Sequence, residues 1–335
     1  MAISNDILSS TLAVLMAEAQ DSLYRATPLL SRIQKNKGIK IVDGGSKLSQ
    51  PVVVKNHSSI TQLSTGTGGY DSVSLTVADC MRPADFDWCD FTAPILISRV
   101  EELSNKGPQA IVNIAEERMR AVMGMLQREW ELQVIKGSST VLTNLQSLNG
   151  VDAATGWLEE GAFGAQTNTV GGLAKSSYTD TWQNQVADVT STFSTTGRKK
   201  MYNLRNAAGS YVMEGGTDII LASPVSFELF QTDADTQVRY TPEDNIGNSN
   251  PVCKFAGADM FYEPNLPYVG ATNTLSMYFL NSKGLGIAFD KDANFKLLPF
   301  EWISGQDVRA ARLAVRTQLF AKHLASQGVL LNSEV

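Results

Sequence analysis

The chain has 335 residues, 43% hydrophobic and 19% charged, with 34 acidic against 28 basic side chains and a net charge of -6. That composition suits about two globular domains with a sizeable core and excludes a disordered chain. It also argues against a dedicated nucleic-acid binder, because no basic excess exists to displace counterions from phosphates. A surface that faces nucleic acid without gripping it remains compatible with the charge.

Cys80, Cys89 and Cys253 are an odd set with no close pair, so they are read as small buried hydrophobes in a reducing compartment. Ile7 to Met16 is apolar but lacks the basic flank of a secretory signal. No apolar run reaches about 18 residues, so no membrane span is expected.

Residues 4–36 have a helical pattern, with Leu8, Leu12, Leu15, Ala19, Leu23, Ala26, Leu30 and Ile33 stepping by three and four. Pro28 is expected to kink or split that helix near Thr27. Residues 40–79 then change period. Pro51-Val-Val-Val54 and the alternating Val73, Leu75 and Val77 read as two strands around the flexible tip Ser64-Thr-Gly-Thr-Gly-Gly69. Such a hairpin has too few large apolar residues for its own core. It is expected to be an arm lying on a neighbour, the other possibility being a disordered flap. Residues 82–100 are mixed, with Phe86, Trp88 and Phe91 clustered before Ile95-Leu-Ile97.

A long helix is predicted from Pro108 to Lys136. Gly107-Pro108 opens it, Lys136-Gly137 closes it, and Ile111, Ala115, Met119, Val122, Leu126, Trp130 and Val134 share one face. It would span ~40 Å, the width of a small domain. Residues 137–172 follow as a Gly-, Ser- and Asn-rich loop of unusual length. From residue 180 the pattern alternates: strand near 182–189, helix 196–205, a buried strand at 218–222, a helix capped by Ser223-Pro224, and strands near 259–262, 275–281 and 285–289. These form one mixed unit over roughly 145–300. Residues 308–331 alternate as a long strand while their Ala, Arg and Leu content favours helix; period is weighted over propensity and a strand is expected.

Catalytic constellations are hard to assemble. His57 and His323 are read as surface or partner-facing residues, and no G-x-S-x-G surrounds a serine. Gly171-Gly-Leu-Ala-Lys-Ser176 imitates a phosphate loop, but Ala174 stands where Gly must precede the Lys. Asp290, Asp292, Asn294 and Glu301 match calcium-loop positions, yet Phe295 replaces the required Gly, so an acidic turn is expected. Glu159-Glu160, Asp233 and Asp235 are read as solvated acids, and Arg198-Lys-Lys200 as a solvated helix face or an inter-subunit ion-pairing site. No catalytic, cofactor-binding or metal residue is assigned, no cofactor is expected, and the chain is read as a structural, self-assembling protein and not an enzyme. A cytosolic α/β enzyme with a site at 156–172 is the alternative from a different class.

Phe86-Asp-Trp88, then Ile97-Ser-Arg-Val-Glu-Glu-Leu-Ser-Asn-Lys-Gly107, the long helix and Asn149-Gly-Val-Asp152 resemble the major capsid proteins of tailed bacteriophages. Gln166-Thr-Asn-Thr-Val-Gly-Gly-Leu173 and Trp182-Gln-Asn-Gln185 are similar to a stretch those proteins carry early in their second domain. The resemblance covers almost the whole chain through several weak stretches in order. It implies an α+β (mixed α/β) Hong-Kong-97-type fold, with an N-terminal arm at 1–40 and an extended hairpin loop at 41–82. A peripheral domain would take 83–145 with 300–335 and hold the spine helix 108–136, and an axial domain would take 146–299. It further implies hexamers and pentamers of this chain, an icosahedral shell around double-stranded DNA in a virion assembled in the bacterial cytoplasm, and no membrane. A portal protein and a decoration protein are implied partners. Family members with a scaffolding segment carry it ahead of the arm; Met1 leaves no room for it here, so a separate scaffolding protein is expected. Lys47 and Lys55 lie on the loop, but no covalent crosslink is assigned. The spine helix is expected to pack one face on the long C-terminal strand and its sheet. Its other face would turn to the shell interior, with Glu116, Glu117, Glu129 and Glu131 repelling the genome. An encapsulin-type compartment shell shares the implied fold and is the alternative within it.

Overall fold

The computed structural model describes residues 28–35, 38–55, 62, 66, 80–104, 114–137, 141–142, 144–150, 156–211, 216–235, 253–266, 268–269, 274–275 and 277–332. In chain order a helix Pro28–Lys35 precedes strands β1 (Ile39–Val42), β2 (Lys47–Val53), β3 (Met81–Asp87) and β4 (Cys89–Ser98). Helices Arg99–Ser104 and Ile114–Lys136 follow, then β5 (Thr169–Val170), β6 (Leu173–Ala174) and β7 (Gln185–Asp188). Helix Arg198–Gly209, β8 (Ile219–Ala222) and helix Pro224–Asp235 come next, then β9 (Cys253–Phe255), β10 (Ala258–Tyr262), β11 (Tyr268–Val269) and β12 (Thr274–Leu275). The chain ends with β13 (Met277–Leu280), β14 (Leu285–Asp290), β15 (Lys296–Leu297), β16 (Glu301–Trp302), β17 (Val308–Ala321) and β18 (Gly328–Leu331).

Two six-stranded sheets carry the fold. The first is built on β17, which pairs β4 along one edge and β14, β15 and β16 along the other, while β1 extends it parallel to β14. Alternation decided the conformation of β17: Ala311, Leu313 and Val315 point inward while Arg312 stays exposed. Its ladder with β4 runs from Val308↔Ser98 to Thr317↔Cys89. Tertiary pairing outweighs helix propensity, which amounts to tenths of a kcal/mol per residue. The second sheet has the order β7-β18-β13-β8-β10-β9. The apolar run Ile219-Ile-Leu-Ala222 sits inside it between β13 and β10 and is buried throughout, as a strand covered on both faces must be. Ser223 then caps helix Pro224–Asp235, its Oγ accepting from the Ser226 N–H at 3.2 Å, a contact worth about 1 kcal/mol.

The helix Ile114–Lys136 packs on β4. Leu126, Trp130 and Val134 of the predicted stripe are buried, each stabilising by about 1.5–3 kcal/mol, and Val122 is half-buried. Arg118 anchors its start, donating to Leu96 O and to Glu101 Oε1 at 2.7 Å. The stretch 108–113 lies outside the described residues. So do 1–27, which hold most of the expected N-terminal helix; the described part starts at Pro28, where a Pro gives up only an unpaired N–H.

Two expectations are corrected. First, β2 pairs with β3, from Lys47↔Asp87 to Val53↔Met81, where the sequence had suggested residues 73–77, which lie outside the described residues. Pro83 and three charged side chains hid β3, whose inward face is Ala84 and Phe86 only. Second, the root of this hairpin has a core: Leu48, Val52, Ala84 and Phe86 join the main apolar cluster with Trp157. The strands of each sheet come from distant parts of the chain. β14 pairs with β17 in the first sheet. The C-terminal β18 crosses to the second sheet between β7 and β13. β1, within the arm and loop ranges, joins the first sheet. Two- to six-residue apolar segments do not encode which distant partner they find.

Candidate functional site

Among the described residues a dense polar cluster surrounds Lys175, which has 0% exposure. Residues 169–174 form a minute hairpin whose turn, Gly171-Gly172, has φ of +58° and +74°, the left-handed pair a two-residue turn of this kind demands. A Cβ on Gly171 would lie 2.9 Å from both Ala84 Cβ and Phe86 Cζ, so this glycine also fits the hairpin root, where Asp85 N donates to Gly171 O at 2.9 Å. The apparent phosphate loop is therefore a tight turn, and the Lys after it points inward. Its Nζ donates to Trp157 O at 2.7 Å, Asn184 Oδ1 at 2.9 Å and Gln166 Oε1 at 3.1 Å, with Glu159 Oε2 at 3.8 Å. Three ammonium protons thus meet three neutral acceptors, and one carboxylate balances the charge.

The surrounding groups close on one another. Gln166 Nε2 donates to Asn184 O at 2.7 Å, Asn184 Nδ2 to Glu159 O at 2.9 Å, and Gln183 Nε2 to Lys175 O at 2.9 Å. Glu159 accepts from the Thr167 and Asn168 N–H groups. Burial lowers the Lys175 pKa to about 8, with Glu159 pulling it back upward. The ammonium is thus still the major form at neutral pH. The knot pins the loop between residues 156 and 185 into one conformation. Its saturated hydrogen bonding gives it a structural role and no open position for a substrate.

The other sequence candidates scatter. Asp290 is buried; its Oδ1 accepts from Asp292 N at 2.9 Å and its Oδ2 lies 3.8 Å from Arg316 Nη1, the geometry of an acidic turn. Phe295, where a calcium loop needs Gly, takes φ +47° and packs on Phe289. Among the described residues no group of three or more His, Cys, Asp or Glu side chains is placed to hold a metal ion. Arg198 pairs with Asp233 at 2.7 Å within the chain, so neither is the solvated group expected, and Glu159 is likewise engaged. The side chain of Asp235 is outside the described set, as is His57. His323 is half-buried 6.4 Å from the Tyr211 ring, and that burial lowers its pKa, in place of a surface position. Lys47 pairs with Asp87, and Lys55 lies 5.9 Å from the Tyr178 ring centroid. Cys80, Cys89 and Cys253 are free thiols.

The assignment of the long helix's acids is corrected as well. Glu129 is 8% exposed and Glu131 2%, and Glu131 is covered by the helix Pro28–Lys35, whose Leu29 N–H donates to it. Its exposed described side chains are Arg120, Ala121, Met125 and Lys136, so those two glutamates cannot repel anything from a surface. The Glu116 and Glu117 side chains lie outside the described set. No described helix is long and apolar enough to cross a membrane.

Uncovered apolar surface gathers elsewhere. The outer face of the β2–β3 hairpin carries Val53, 58% exposed, opposite Met81, 62% exposed, with Pro51 opposite Pro83 beside them. At the far end of the first sheet Leu297, Leu298, Phe300 and Trp302 are exposed, Trp302 by 51%, with Arg309 stacked 4.5 Å from its ring. Contiguous exposed apolar groups of this kind mark interaction surfaces.

No family model and no curated protein matches the chain. Solved structures do. The capsid asymmetric unit of cyanophage A-1(L) aligns with TM-score 0.67 and 16% identity over 96% of each chain. The capsid of an empty GTA particle aligns with TM-score 0.60 and 13% identity over 99% of each. The SrpI encapsulin of Synechococcus elongatus PCC 7942 aligns with TM-score 0.55 and 11% identity over 99% of this chain and 96% of that one. With alignment over 96% or more of this chain, the chain has the mixed α+β Hong-Kong-97-type capsid fold.

Proposed function

We propose that this chain is the major capsid subunit of a tailed phage, assembling with copies of itself into hexamers and pentamers of an icosahedral shell around double-stranded DNA. The observation that carries this reading is the match, over 96–99% of the chain, to capsid subunits of a cyanophage and of a GTA particle. The two uncovered apolar surfaces support it, since a single chain leaves them in water and a neighbouring copy would bury them. In this reading residues 1–40 are an arm, 41–82 an extended loop, 83–145 with 300–335 a peripheral domain, and 146–299 an axial domain. A separate scaffolding protein, a portal protein and a decoration protein are the proposed partners, the virion is the place of action, and the chain works as a building block without catalysis.

Co-expression with a candidate scaffold and electron microscopy tests the proposal. Shells, rings or sheets are expected; a small monodisperse species under all conditions would sink it. Deleting Gly66–Tyr70 at the proposed loop tip is expected to impair shell formation and leave a soluble folded subunit, and unchanged particle yield would count against the loop's role. The encapsulin match supports a second reading, a protein compartment enclosing enzymes. Nucleic acid protected from nuclease inside purified particles separates the two.

A further inference from the structure

Beyond its hydrogen bonds, the Lys175 knot brings reactive partners together. Lys175 Nζ approaches Asn184 Oδ1 at 2.9 Å, so the Asn184 carbonyl carbon is no farther than about 4.1 Å from that nitrogen. The same Oδ1 accepts from the Glu159 N–H at 2.9 Å. A backbone N–H aimed at an amide oxygen steadies the negative charge that attack on its carbon creates. Asn184 Nδ2, the group that would leave, is held by Glu159 O at 2.9 Å and by Gln185 O at 3.4 Å. The Glu159 carboxylate lies 3.8 Å from Lys175 Nζ, on the side from which a proton can be taken. Amine, polarised carbonyl and base thus meet at one point.

Burial favours a reaction between them. Lys175 and Asn184 are 0% exposed, and Trp157 and Trp182 beside them are buried in the main apolar cluster. Desolvation holds the Lys175 pKa at about 8, so roughly a tenth of the side chain is uncharged amine at pH 7. A charge kept from water is costly, and exchanging it for a neutral amide while ammonium departs to solvent removes that cost. The fold fixes both reacting side chains, so the attack is intramolecular and its entropy is already spent. Glu159 stays satisfied afterwards, because its carboxylate also accepts from the Thr167 and Asn168 N–H groups.

We propose that Lys175 and Asn184 join in an isopeptide bond within the folded chain, with Glu159 moving the protons. Glu159 accepts one proton from the Lys175 ammonium, and the freed Nζ lone pair attacks Asn184 Cγ. The C=O electron pair moves to Oδ1, where the Glu159 N–H meets it. The carbonyl then re-forms as the Cγ–Nδ2 bond breaks. Protons from Nζ reach Nδ2 through Glu159, so that nitrogen leaves as ammonium and Glu159 is a carboxylate again. One ammonium and one primary amide enter, and one secondary amide and one ammonium ion come out, with nothing oxidised or reduced. Gln166 Oε1 is the competing carbonyl at 3.1 Å, and the shorter approach selects Asn184. The link ties the end of β6 to the start of β7.

Mass spectrometry of the full-length chain, purified and then held at pH 8, reads the bond. The intact mass is expected to fall short of the sequence mass by one ammonia. Trypsin is expected to leave the chain uncut after Lys175, and fragment spectra to show no separated ions for breaks between 175 and 184. Lys175→Arg keeps the cation without the amine, and Asn184→Ala removes the carbonyl; both are expected at their full sequence mass. Glu159→Gln removes the base, and its linked fraction is expected to drop at least tenfold. A wild-type chain of full sequence mass overturns the proposal, and this reading needs no variant to fold. An ammonia loss that persists in Lys175→Arg overturns it too, as does a link to Gln166. So does a loss that maps to Asn149-Gly150, where ring closure on the backbone would release the same mass.

Discussion

The two sheets solve opposite problems. In the second, the central strands β8 and β13 are buried at every residue. In the first, β17 begins half-covered at Val308 and is fully buried only over its last five residues, so that one end of the sheet finishes in Trp302, Phe300 and Leu298 facing water. The first kind of surface is finished by folding. The second stays exposed in the single chain, and in the proposed shell a neighbouring copy would cover it, so a stability measurement on the isolated subunit is blind to it.

Substitutions sharpen that contrast. The largest effect belongs to the finished interior: Lys175→Met strands Trp157 O, Gln166 Oε1 and Asn184 Oδ1 without their donor and leaves Glu159 without its counter-charge, so urea unfolding is expected to show a loss of about 3–5 kcal/mol. Gly171→Ala comes next, since φ +58° and the 2.9 Å approach to Ala84 and Phe86 combine strain with crowding; about 1–3 kcal/mol is expected by the same measurement. Ile220→Val removes one methylene from the covered sheet and should cost about 0.5–1.5 kcal/mol. Trp302→Ser and Met81→Ser reverse the pattern: each should change subunit stability by less than about 0.5 kcal/mol yet lower the yield of assembled particles seen by electron microscopy. A Trp302→Ser subunit that assembles normally would break the comparison at its exposed end.

Legibility in the sequence followed the same division. Ile219-Ile-Leu-Ala222 and the alternation of 308–321 could be read because burial on two faces, or on one, writes itself into residue order. Pairing between β1 and β14 could not, because Ile39 meets Ile287 across the whole molecule and neither segment names its partner. β3 was masked by Pro83 and its outward acids. Lys175 was weighed only as a phosphate ligand. The informative signal was the amide-rich Gln183-Asn184-Gln185 and Gln166 flanked by Trp157 and Trp182, a set of acceptors beside large apolar walls that suits a buried cation. Glu129 and Glu131 misled for the opposite reason: a helix pattern shows which face is apolar but not that a second element covers the polar one.

The placement of β17 also has a mechanical meaning. At about 3.3 Å per residue its 14 residues extend ~46 Å from the exposed tip to the turn that leads into the second sheet. Antiparallel ladder bonds lie across the strand direction. A pull on the tip along that axis therefore loads the β4 and β14 ladders in shear, many bonds at once, and does not peel them one at a time. β17 is a tension member, and β18 ties its far end into the second sheet.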